Sequence, residues 1–175
     1  MSAARHAAAA LIVAAALFGV DRVAIVPFRC NLLTHRVQLR TERIAAAGEL
    51  SAKSVARQNL EELAACEAPC RYDTNFLLAK AANQLVLQDL AGAAASYQQA
   101  LAVDRRPEIY LNLGLTQLDL LQTSEAVETL MEGARFNFSV NGEVPEPVRS
   151  TIAQRITTER AAILESAARK RSSKP

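Results

Sequence analysis

The chain has no tryptophan and only 5% aromatic residues, so the large rings that often dominate a core are largely missing. Leu and Ala must take their place. Such side chains fill an interior when helices approach closely, and both are strong helix formers, so the composition predicts an all-α fold. Histidine is equally scarce, with only His6 and His35, both ahead of the helical domain that begins at residue 51. A Ser-His-Asp or Cys-His arrangement would therefore have no base inside that domain. The three cysteines form no cluster with zinc-like spacing, and Gly19, Gly48 and Gly92 stand alone rather than in a phosphate-cradling loop. The acidic pairs Glu61/Glu62 and Glu125/Glu128 read as solvated helix faces. No metal, cofactor or small-molecule substrate is called for, and the chain reads as a non-enzyme. A net charge of +2 is also too small for a nucleic-acid interface.

One uncharged run stands out. Residues 7–20 read AAAALIVAAALFGV, preceded by Arg5 and His6 and followed by Asp21 and Arg22. Alone it falls short of the ~20 residues that span a bilayer, but VAIVPF beyond the charged pair extends it to Pro27. Two readings compete: a cleavable signal peptide with its small-residue site at 14–16, and an uncleaved signal anchor occupying residues 1–28. The anchor is favoured because apolar character resumes after Arg22. Residues 29–50 then form a basic juxtamembrane helical segment. Arg29, Arg36, Arg40 and Arg43, continued by Lys53 and Arg57, face only Glu42 and Glu49. This is either a solvated helix face or a surface drawn to anionic headgroups.

Orientation signals disagree, since the basic start favours export of the downstream chain while the arginine count favours the opposite. Cysteine usage tips the balance. Cys66 and Cys70 lie in CEAPC, where Pro69 would end a helix and let the chain turn back, making a small bridge feasible. Two ordinary thiols are the alternative, and with Cys30 three single pairings are open. The expected location of the helical domain is the periplasmic, exported side of the membrane.

Residues 51–136 carry the helical domain. In its first part Gly48 is a break, Ser51 a plausible cap, and Val55, Ala56, Leu60, Leu63 and Ala64 keep helical spacing. Four further helices come next, around 75–87, 92–103, 108–121 and 124–136, joined by short turns. A self-similarity links them: Leu78, Gln84, Leu85, Leu87 and Ala93 recur 33 residues later as Leu111, Gln117, Leu118, Leu120 and Ala126. A period of this length marks stacked helical hairpins that share a continuous core.

The segment LNLGLTQLDLLQTSEAVETLMEGA resembles a tetratricopeptide repeat. Leu113 and Gly114 match that family's Leu-Gly pair, Tyr110 its first aromatic, and Ala126 and Gly133 its two small positions. Ala93, Tyr97 and Ala100 fall at the matching places of the preceding unit, where Lys80 and Ala81 replace the Leu-Gly pair and Gln84 an aromatic. The resemblance implies about two helical hairpins with a concave groove lined by the first helix of each. Its binding positions would be Leu78, Ala82 and Leu85, then Leu111, Leu115 and Leu118. Such an apolar groove suits an amphipathic helix of a protein partner, or is filled by this chain's own C-terminal helix.

Residues 137–147 read as a loop, with a glycosylation sequon at Asn137 and a turn signal at Asn141 and Gly142. A capping helix over 148–168 carries the stripe Val148, Ile152, Ile156 and Ile163, and residues 169–175 read as a disordered tail. Together these features predict a membrane-anchored adaptor or assembly factor for a membrane or cell-envelope complex. A structural subunit packed through its N-terminal helix and a secreted protein left after signal cleavage are the alternatives.

Overall fold

Helix-forming residues broken by Pro, Asp and short polar turns produce an all-helical chain, and among the described residues there is no strand. The computed structural model describes residues 14–16, 18–44, 49–136 and 142–172. Residues 18–20 are helical and pass through a π-helical turn, Asp21–Ile25, into α1 (Val26–Ile44). Then come α2 (Glu49–Ala64), the single turn α3 (Glu67–Cys70), α4 (Thr74–Val86), α5 (Leu90–Val103), α6 (Pro107–Asp119), α7 (Thr123–Phe136) and α8 (Val148–Ser172). The chain divides into two compact units, the first ending at Asp89 and the second starting at Leu90. The division falls inside the 51–136 stretch expected to form one domain.

In the first unit α1, α2 and α4 pack on one another, with α3 against α1. Cys30, Leu33 and Val37 of α1 are buried with Ala56 and Leu63 of α2 and Phe76, Leu77, Ala79 and Ala81 of α4. The basic segment expected to be a juxtamembrane appendage is thus an integral wall of this unit. Its apolar positions, three or four residues apart, give α1 a face that must be buried. Asp73 starts α4 by accepting a hydrogen bond from the Phe76 amide at 2.9 Å. Helix α2 begins ahead of Ser51, so that residue is no cap, and Ala64 is exposed while Asn59 is buried. Pro69 sits within α3 rather than ending a helix. Its missing amide costs nothing in a first turn, where that donor has no partner in the helix.

In the second unit α5 packs on α6, α6 on α7 and α7 on α8. Pro107 opens α6 at its first position, where a fixed φ suits the helix. Small residues set the α6–α7 distance: a Cβ on Gly133 would lie 2.7 Å from Tyr110 Cβ, and one on Gly114 would run into the Leu130 side chain. Tyr110 also stacks on Phe136 with ring centroids 5.8 Å apart. Helix α8 reaches Ser172, so residues 169–172 are helical where a disordered tail was expected. Of its anticipated stripe Val148, Ile152 and Ile156 are buried, whereas Ile163 is 65% exposed because α8 has by then outrun its packing surface.

Among the described residues no helix is long and apolar enough to cross a membrane. Residues 1–13 and 17, half of the expected anchor, lie outside the described residues, as do Gly48, the Asn137 sequon and Asn141.

Candidate protein-docking site

The backbone repeats locally where the sequence does. At the end of α4 the amides of Gln88 and Asp89 donate to the carbonyls of Leu85 and Gln84, each at 2.9 Å. At the end of α6 Leu121 and Gln122 donate to Leu118 and Gln117, again at 2.9 Å. This paired bonding closes a helix through a left-handed residue, and both Gln88 and Leu121 have φ of 62°. One turn earlier, buried side chains bond back to the carbonyl four residues before them. Asn83 Nδ2 donates to Ala79 O at 2.8 Å, and Thr116 Oγ1 to Asn112 O at 2.7 Å. Every partner in one set lies 33 residues from its counterpart in the other.

Three of the six expected groove residues are occupied from within. Leu111 is buried in one cluster with Val127, Leu130, Met131 and Ala134 of α7, Val144, and Val148, Ile152 and Ile156 of α8; Leu115 and Leu118 pack against it. Of the two occupants the sequence left open, this shared cluster favours the chain's own α8, with Leu111 inside it and Leu115 and Leu118 at its edge. Arg135 Nη2 clasps Glu159 at 2.8 and 3.0 Å, and Arg155 pairs with Glu128, so charges flank the α7–α8 seam. The Glu159 hydrogen bond leads the causes that raise the Arg135 pKa above its ordinary value. These pairs are solvent-exposed and worth at most about 1 kcal/mol each, so the apolar cluster decides the docking. Leu78, Ala82 and Leu85 are half-buried on α4 in the first unit.

The expected Cys66–Cys70 bridge is replaced by another. Cys70 is bonded to Cys30 with Cα atoms 5.6 Å apart, and Cys66 is free. Cys66 lies one helical turn before Cys70, whose amide donates to the Cys66 carbonyl at 3.2 Å. Positions so related project side by side rather than toward each other, whereas a cysteine on a facing helix meets Cys70 across the core. Both bridged residues are 2% exposed. The bond ties α1 to the turn that precedes α4.

Sequence reasoning missed a polar ladder across the same unit. Glu62 accepts two hydrogen bonds from Arg40, at 2.7 and 3.0 Å, and Arg40 Nη1 also donates to Asn59 Oδ1 at 3.2 Å. Asn59 Nδ2 in turn lies 2.9 Å from Asn83 Oδ1 and 3.3 Å from Thr41 Oγ1. The Arg40 hydrogen bond holds the Glu62 carboxyl below its ordinary pKa against some desolvation, and Arg36 adds to the effect. The same contact raises the Arg40 pKa. Buried amides that satisfy each other this way fix the register of three helices, since any slip would strand them unpaired. The signal lay in Asn59, a polar residue in the apolar row of Ala56 and Leu63; its partners are distant in sequence.

Among the described residues no three His, Cys, Asp or Glu side chains cluster so as to hold a metal ion. The fold defines an all-α protein with a disulfide-tied helical unit and an apolar helical unit. Comparison with known protein families, with characterised proteins and with solved structures returns no match.

Proposed function

We propose that the chain is a non-catalytic adaptor or assembly factor, anchored in a membrane by its N-terminal segment, whose tetratricopeptide-like helical body docks a protein partner of a membrane or cell-envelope complex. One observation carries the reading: the matched helix ends at Gln88 and Leu121, with the same side-chain back-bonds one turn before each. Matched local closure at a 33-residue spacing fits a repeated helical unit, and repeats of this kind serve mainly to bind other proteins. The Cys30–Cys70 bond supports placing the body on the exported side, because disulfides persist in oxidising compartments. Helix running from Phe18 through the π turn into α1 would join anchor and body without a flexible hinge. An anchored body meets membrane-embedded partners at a raised effective concentration.

The test is extraction of the full chain in mild detergent, followed by identification of what accompanies it and a repeat after deletion of residues 1–28. The expected result is a defined partner that the shortened chain still captures when supplied in excess. A full-length chain that emerges alone and monomeric rejects the proposal. A partner lost completely on deletion favours the structural-subunit alternative.

A further inference from the structure

The outer face of α1 keeps a row of large apolar side chains in contact with solvent. Leu32 and Leu39 stand seven residues apart and are 55 and 38% exposed, and Ile25 of the π turn and Phe28, at 45 and 67%, continue the row back into the segment assigned to the anchor. They lie opposite the buried row of Cys30, Leu33, Thr34 and Val37. Large apolar side chains at this spacing form a seam on which another helix can lie, because seven residues make nearly two full helical turns. A shallow depression of about 340 Å³, lined by Leu32, His35, Arg36, Leu39, Arg40 and Arg43, runs along the seam. The π turn Asp21–Ile25 shifts the helical phase, so Phe18 falls out of line and the seam starts at Ile25.

A second row runs beside it. Arg29, Arg36 and Arg43 are also seven residues apart, and all three are exposed. Arg40 is committed to Glu62 of α2, and Arg36 stands within electrostatic reach of that carboxylate. Among the described residues no ion pair engages Arg29 or Arg43. The other edge of the seam carries Asn31 and Gln38, so the positive charge lies on one side only.

From this arrangement we infer that the outer face of α1 docks an amphipathic helix of a partner protein that carries carboxylates along one edge of its apolar row. The seven-residue spacing of both rows matches a helical partner, and the arginine edge sets its charge. A lipid surface would be better served by cations on both edges of the apolar strip. A second copy fits less well: antiparallel pairing sets arginine against arginine, and parallel pairing sets it against Asn31 and Gln38. His35 and Glu42 continue the line of Phe28 and make the seam narrow, so the affinity is moderate and depends on charge. The inference rests on the adaptor reading only in taking docking to be the chain's role.

The experiment uses the full chain in detergent micelles and two labelled helical peptides of about four heptads, both with leucine at the seam positions, one flanked by glutamate and the other by lysine. The glutamate peptide is expected to bind at least about tenfold more tightly than the lysine peptide, with the preference fading as salt is raised. Arg29→Glu/Arg36→Glu/Arg43→Glu should reverse the preference, and Leu32→Glu should abolish binding of both, with circular dichroism confirming that each variant is folded. Equal binding of the two peptides, or an acidic preference that survives the triple change, overturns the inference. So does a dimer of the chain that Leu32→Glu dissolves, which assigns the face to a second copy. Arginine-dependent binding to phosphatidylserine vesicles without peptide binding assigns it to lipid and likewise overturns the inference. A co-purifying partner that the triple variant retains rejects this face and leaves the adaptor role standing; a wild-type chain with no partner rejects the adaptor role itself.

Discussion

The two units are built from the same kind of helix but held by different forces. The first sets a disulfide and a ladder of Arg40, Glu62, Asn59 and Asn83 among its helices. The second relies on apolar burial around Leu130 and Ile152 and on glycine at the closest approach of α6 and α7. Directional bonds specify which surfaces meet, whereas apolar burial rewards any tight fit and leaves register to shape. The first unit is therefore expected to answer to reductant and pH, and the second to the volume of its side chains.

The largest effect should come from Leu130→Ala, which empties a fully buried site in the second unit. A loss of about 2–5 kcal/mol is expected, read as faster hydrogen exchange in α6, α7 and α8 with smaller changes in α4. Equal acceleration in both units would erase the distinction. Next comes Cys30→Ser, which opens the bridge between residues separated by 40 positions. The chain-entropy estimate for a loop of that size is about 4 kcal/mol, and denaturant unfolding of the first unit should show most of it. Unchanged stability of the variant would mean that packing alone secures α1.

A smaller effect is expected at Glu62. Its pKa is lowered in the folded chain by the Arg40 hydrogen bond, so its contribution is present above the ordinary value near 4.5 and is lost as pH falls through the lowered value. The pair is partly exposed, which limits the contribution to about 1 kcal/mol. Glu62→Gln should remove this part of the acid sensitivity; an acid melt identical to that of the original chain would place the sensitivity elsewhere. Smallest is Leu121→Gly, at a left-handed residue whose side chain is 88% exposed. Relief of that backbone conformation should raise the melting temperature by the equivalent of about 0.5–1 kcal/mol. Gln88→Gly should act alike, and a loss of stability in either variant would contradict the matched helix ends.

What was legible in the sequence was local. The helices over 75–87, 92–103, 108–121 and 124–136 and the start of the last one agree with the structure to within a few residues, because their spacing, turns and prolines act over one or two helical turns. The basic segment was legible as a helix but not as a wall of the core, since its charged residues conceal the buried row of Cys30, Leu33 and Val37. Leu111, Leu115 and Leu118 were legible as an apolar face. What would cover that face was open until α8 was placed on it.

By itself, then, the sequence determined the all-helical class, the approximate place of the central helices and the spacing at which α4 and α6 end alike, since all of these follow from backbone preference and helical periodicity. Only the tertiary structure decided that Cys70 meets Cys30, that Asn59 meets Asn83 and that α8 fills the second unit's apolar face. Those pairings join residues far apart along the chain. They are chosen by which helices pack together, and spacing within one helix carries no record of its neighbour.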